Sequence, residues 1–183
     1  MDMTFFRAAL LGACVLLSGC DSATTPATPT ATATVLDGKT MGTFWRVSVI
    51  GVDEAKAQAL RAKVQAQLDA DDRLLSTWKN DSALMGFNHA ATTEPWPVSE
   101  AMADIVTESM RVGYKTNGAM DVTVGPLVNL WGFGFSKMDS VTPQMIDSIK
   151  QFVGYQKIRL DGRKVVKDDS RILLNCSAIA KGY

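Results

Sequence analysis

The chain has 183 residues, 19 of them lysine or arginine and 19 aspartate or glutamate, and 46% are hydrophobic. That composition suits a single globular core. A formal net charge of zero excludes the basic excess that a nucleic-acid partner requires. With three cysteines and one histidine, neither a zinc site nor a disulfide framework is expected.

Residues 1–19 read as a signal peptide. Arg7 precedes the apolar run Ala8 to Leu17, which is too short to span a bilayer, and Ser18-Gly19-Cys20 follows it. Leu17-Ser-Gly-Cys20 looks like a bacterial lipobox, so Cys20 is expected to carry lipid, and Asp21 resembles an inner-membrane retention signal. Residues 20–34, rich in Ala, Thr and Pro, read as the lipidated cysteine and a flexible tether. The expected location is therefore the periplasmic side of the inner membrane.

The folded part, 35–183, opens with an alternating run from Phe44 to Ile50, which predicts a half-buried strand behind a loop or bulge at Thr40-Met-Gly-Thr43. Leu60, Val64 and Leu68 lie at helical spacing between Asp53 and about Arg73, with Asp53 as N-cap. Asp69, Asp71 and Asp72 read as the solvated end of that helix rather than a metal site. Ser82 to Asn88 predicts a short helical turn, and His89 a surface loop residue. Ser99 caps a second helix through about Lys115, stopped by Asn117-Gly118. A third helix is expected from Thr142-Pro143 to Gly154. A hairpin with Asp161-Gly162 as its turn follows, then a strand over Arg171 to Ser177. Helices and strands mix without strict alternation, which predicts an α+β fold with helices on a mostly antiparallel sheet. The chain ends at Tyr183 without a stop signal, as the front part of a larger protein would.

Between the second and third helices lies Gly118-Ala-Met-Asp-Val-Thr-Val-Gly-Pro-Leu-Val-Asn-Leu-Trp-Gly-Phe-Gly134. Its glycines permit positive φ and close backbone approach, and Pro126 argues against a regular element through that point.

Taken in order, Gly38 to Val47, Ser76-Thr-Trp78, Ser82 to Asn88, Gly118 to Gly134 and Ala178 to Tyr183 resemble the N-terminal half of the ApbE family, the FAD:protein FMN transferases. The resemblance implies an ApbE-like fold. It implies transfer of the FMN half of FAD to a threonine hydroxyl of a partner protein, with Mg²⁺ and with release of AMP. Implied partners are acceptor subunits of sodium-pumping quinone reductases and Rnf-type complexes. Carried over by motif, the FAD contacts are Met41, Trp78, Ala119, Met120, Asp121 and Lys181.

In physical terms, Met41 and the Ala119–Asp121 turn would offer backbone groups, Trp78 a flat face, and Lys181 a charge for the pyrophosphate. The family usually has tyrosine at Trp78 and phenylalanine at Met120, departures that bear on pocket shape. Its Mg²⁺ ligands fall mainly beyond residue 183, so no catalytic residue is assigned. A FAD-binding lipoprotein without transfer activity, a FAD pyrophosphatase and a lipid-anchored adaptor are the alternatives.

Overall fold

Two positive φ values, +47° at Met41 and +75° at Gly42, turn the chain back on itself at the start of the fold. They are the signature of a two-residue I′-type hairpin turn. The strands it joins are β1 (Ala33–Thr40) and β2 (Thr43–Ile50), paired antiparallel from Thr40 with Thr43 to Ala33 with Ile50. The computed structural model describes residues 32–134 and 140–182. The signal peptide, Cys20 and nearly all of the tether lie outside the described residues. β1 begins two residues before Val35, where the folded part was expected to start.

Helix α1 (Glu54–Leu75) packs on this hairpin, and polar side chains fix its place. Gln65 accepts from Trp45 Nε1 at 2.9 Å and donates to Lys39 O at 2.9 Å, while Arg61 Nε donates to Asp37 O at 2.7 Å. In the alternation set by the tight turn, the carbonyls of Asp37 and Lys39 point away from β2. The helix therefore satisfies the outer edge of β1. Asp53 caps α1 as expected, accepting from Lys56 N at 2.8 Å. Its far end departs from expectation, because Asp72 is buried and pairs with Lys79 at 2.5 Å.

The caps place the next helices as the sequence predicts. Ser82 Oγ accepts from Met85 N at 3.1 Å and starts α2 (Ala83–His89). Ser99 Oγ accepts from Met102 N at 3.2 Å and starts α3 (Glu100–Lys115). Asn117 and Gly118, both at positive φ, end α3, and Gly118 N returns to Gly113 O at 2.8 Å. The buried face of α3, Met102, Ile105, Val106 and Ser109, joins Leu84, Phe87, Val122 and Leu174 in the core.

Expectations fail at Pro126 and over Arg171 to Ser177. Pro126 does not preclude a helix but helps start one, α4 (Gly125–Leu130), because a first-turn residue needs no N–H partner. The segment from Arg171 to Ser177 buries Ile172, Leu174 and Cys176 with strand-like alternation, yet it forms no strand. Its one β-bridge joins Leu173 to Val124 in parallel, and no continuous ladder partner lies beside it among the described residues.

Helix α5 (Pro143–Lys150) stops four residues before Gly154. The second sheet is antiparallel, in the order β3 (Trp96–Pro97), β5 (Lys164–Lys167), β4 (Ile158–Asp161). The β4–β5 turn falls on Gly162-Arg163, one residue later than Asp161-Gly162, with Gly162 at φ +57°. The α+β class with antiparallel sheets stands.

Gly125 does not owe its place to positive φ. A methyl group there would stand 2.6 Å from Leu173 O and 3.0 Å from Leu173 C, both backbone atoms that cannot swing aside. Gly125→Ala is expected to lower stability by about 1–3 kcal/mol through overpacking. Urea titration of the variant against the wild type checks this, and an unchanged midpoint would refute the close approach.

Candidate binding cleft

The loop after α1 is shaped by its own hydroxyls. Ser76 Oγ accepts from Trp78 N at 3.2 Å, Ser76 O accepts from Ser82 Oγ at 2.6 Å, and Ser82 N donates to Lys79 O at 3.0 Å. These bonds present Thr77 and Trp78 to one side of the fold, where Trp78 keeps 66% of its surface exposed.

The glycine-rich segment supplies the facing wall. After the α3 stop, Ala119 N donates to Thr116 O and Met120 N to Thr116 Oγ1, both at 3.1 Å. The amides of Ala119 and Met120 are thus engaged within the chain. Asp121 then ties the segment down. Its Oδ1 accepts from Thr123 N at 2.8 Å and Thr123 Oγ1 at 2.7 Å, and its Oδ2 accepts from Tyr155 N at 2.8 Å. Thr123 Oγ1 in turn accepts from Gly154 N at 2.6 Å. The carboxylate is therefore a knot joining the segment to the corner before β4.

Between these walls lies a cleft of about 550 Å³, lined by Trp78, Ala119, Met120, Asp121, Phe133 and Asn175 among others. A second cavity, about 160 Å³, shares Thr77, Trp78, Val128, Phe133 and Asn175 with the first and reaches His89. The walls are mostly apolar, and among the described residues Asp121 is the one charged residue lining the larger cleft. Volume and lining both suit a small organic molecule with a flat apolar part.

Four of the six residues nominated from sequence, Trp78, Ala119, Met120 and Asp121, thus meet in one cleft. Met41 sits at the tip of the β1–β2 hairpin, and Lys181 on the exposed turn Ala180–Gly182; neither lines it. His89 ends α2 instead of lying in a loop. Sequence reasoning did not nominate Phe133 or Asn175. The alternation of 172–176 was the usable signal for Asn175, since it turns this residue away from buried Leu174 and Cys176. Asn175 N donates to Val122 O at 2.7 Å, and its Oδ1 accepts from Ser177 N at 3.0 Å.

Cys176 is no nucleophile, because burial pushes its thiol up to about 12 and keeps it protonated. Among the described residues no three His, Cys, Asp or Glu side chains cluster to hold a metal ion.

Two substitutions probe these walls. Asp121→Ala strips the acceptor from Tyr155 N and Thr123 and is expected to lower the thermal midpoint, at a cost of about 1–3 kcal/mol. Asp121→Asn, which keeps one acceptor oxygen, is expected to lose less. At the hairpin tip, Met41→Asn should stabilise by about 1 kcal/mol, since left-handed backbone costs an ordinary side chain that much and Asn tolerates it. A lowered denaturation midpoint for Met41→Asn would contradict this.

The ApbE family matches residues 41–183 of this chain. The chain is 71% identical over 189 residues to the FAD:protein FMN transferase of Klebsiella pneumoniae (strain 342), covering all of this chain and 54% of that protein. To the FAD:protein FMN transferase of Escherichia coli (strain K12) it is 50% identical over 190 residues, with the same coverage. The solved flavin transferase ApbE from Vibrio cholerae superposes with a TM-score of 0.78 at 35% identity, over 83% of this chain and 50% of that one. The chain spans about half the length of the curated relatives it matches. The motif order, the α+β fold and these likenesses agree: the chain belongs to the ApbE family.

Proposed function

We propose that the protein transfers the FMN half of FAD to a threonine hydroxyl of an acceptor protein. The observation that carries this reading is that one apolar cleft collects Trp78, Ala119, Met120 and Asp121. In the reaction the threonine oxygen attacks the phosphorus on the FMN side of the pyrophosphate. A new P–O bond forms, the bond to the AMP oxygen breaks, and the hydroxyl proton passes to a base or to solvent. AMP leaves.

This chain's own part is binding and orientation. Trp78 and Phe133 offer aromatic faces beside the cleft, and Met120, Val124 and Val128 give its apolar lining. Lys181 is a cation within three residues of Ala178, which lines the cleft, and it is the candidate to meet pyrophosphate charge. The Mg²⁺ that the family resemblance implies finds no ligand set among the described residues. Asp121, the one carboxylate lining the cleft among the described residues, already accepts from Thr123 and Tyr155. No step is therefore routed through that ion.

The lipobox ending at Cys20 supports attachment to the periplasmic side of the inner membrane. There the acceptors would be subunits of sodium-pumping quinone reductase or Rnf-type complexes.

The decisive experiment incubates the full-length protein with FAD, Mg²⁺ and a candidate acceptor, followed by mass spectrometry. One FMN added at a threonine, with AMP released, is expected. FAD bound without transfer would make the protein a flavin-binding lipoprotein instead, and AMP and free FMN without acceptor modification would make it a pyrophosphatase. Trp78→Ala is expected to weaken FAD binding about tenfold or more, since stacking of a base on an aromatic ring contributes about 1–3 kcal/mol. Calorimetric titration reads that loss directly.

A further inference from the structure

Lys167 stands apart from every other cation in the fold. It is 2% exposed, at the end of β5, and its ammonium makes no ion pair among the described residues. The carboxylates next to it in sequence are committed elsewhere, Asp168 to Arg159 at 3.0 Å and Asp169 to Arg171 at 2.6 Å. Carbonyl oxygens answer the charge instead. Nζ lies 2.8 Å from Ala90 O, 3.3 Å from Ile172 O, 3.4 Å from Phe87 O and 3.5 Å from Ser170 O, and 4.6 Å from the centre of the Phe87 ring.

Two of those carbonyls belong to the C-terminal end of α2, where the helix dipole favours a cation. The other two belong to the segment that leads into the cleft wall. Burial lowers the pKa of this lysine from its ordinary value, and the ring of carbonyls is what makes a cation tolerable there.

We propose that Lys167 is the positioning residue of the cleft, an internal cation that clamps the end of α2 to the 170–172 turn and so sets where Leu174 and Asn175 stand. The connection is short. Asn88, next to Phe87, grips Leu174 at both main-chain groups: its Nδ2 donates to Leu174 O at 2.9 Å and its Oδ1 accepts from Leu174 N at 2.8 Å. Asn175 follows, with its N–H on Val122 O at 2.7 Å and its side chain lining both cavities. Without the ammonium, four carbonyls would face one another across the joint between α2 and this wall.

Amide hydrogen exchange in the full-length protein, without ligand, tests this independently of whether the cleft takes FAD. In Lys167→Met, which keeps the stem and removes the charge, the Leu174 and Asn175 amides are expected to exchange faster by about tenfold or more. The amides of α3 around Val106 and Ser109 should change far less. A loss of protection by one common factor in α3 and at Leu174 and Asn175 would mean that Lys167 only adds global stability, and would overturn the proposal. So would unchanged exchange at the two wall amides. If Lys167→Met does not fold, Lys167→Gln carries the same comparison, since its amide can still donate to two of the carbonyls. It is expected to show the same local pattern at smaller amplitude, and a uniform change there would be equally fatal.

Discussion

The segment from Ile172 to Cys176 runs extended past the core with a single β-bridge, and the rest of the cleft depends on how its main-chain groups are satisfied. A buried N–H or C=O left without a partner costs roughly as much as a lost hydrogen bond. A strand would meet that cost with a ladder. Here the partners come from separate places: Asn88 takes both groups of Leu174, Val122 O takes the amide of Asn175, and Lys167 takes the carbonyl of Ile172. Val122 also follows Asp121, whose carboxylate holds the Gly154–Tyr155 corner with Thr123. The glycine-rich segment, the end of α2 and the 172–176 run are therefore positioned by side-chain bonds and one isolated main-chain bond rather than by a shared sheet. Gly125 belongs to the same arrangement, since only a residue without a side chain lets α4 start against the Leu173 backbone.

This explains which parts of the structure were legible in the sequence. Caps are local chemistry, so Asp53, Ser99 and Thr142 marked the helix starts, and Asn117-Gly118 marked the stop. Period-2 burial in 172–176 was also legible, because alternation follows from an extended backbone wherever it packs. What alternation cannot tell is whether a ladder lies beside the strand, and that is why a strand was expected over Arg171 to Ser177. Pro126 misled for a related reason. Its missing donor matters inside a helix and not in the first turn, and only the position of α4 decides between the two. Asp72 was read as solvated because its partner, Lys79, stands seven residues away on the far side of a loop. For the cleft, motif order found the Trp78 loop and the Ala119–Asp121 turn. Phe133 enters the lining through tertiary packing, which carries no local mark, whereas the alternation of 172–176 turned Asn175 outward without saying what it would face.

The charge pattern constrains any ligand. Among the described residues Asp121 is the one charged residue lining the larger cleft, and its oxygens already receive three donors. A pyrophosphate set against these walls would meet apolar surface and a carboxylate, which is unfavourable without compensating cations. On the proposed reading, a flat ring system suits the Trp78 side of the cleft, and the phosphates belong toward Ser177 and Ala178, near Lys181. Asp121 then serves the site chiefly by holding its wall in shape. That role separates it from Trp78, a residue 66% exposed at the edge of the cleft.

Met41 raises the last question of energetics. A non-glycine residue at φ +47° costs about 1–2 kcal/mol relative to its preferred backbone. Residues that occupy such a turn cheaply are Gly and Asn, so the paired strands of the hairpin hold the methionine in a strained backbone conformation. Burial within the fold does not offset that strain, because Met41 is 52% exposed at the hairpin tip. Phe44 beside it is 73% exposed, so the tip as a whole presents apolar surface to whatever it meets. The flavin contact that the family resemblance implies at Met41 would be made from a position outside the cleft lining.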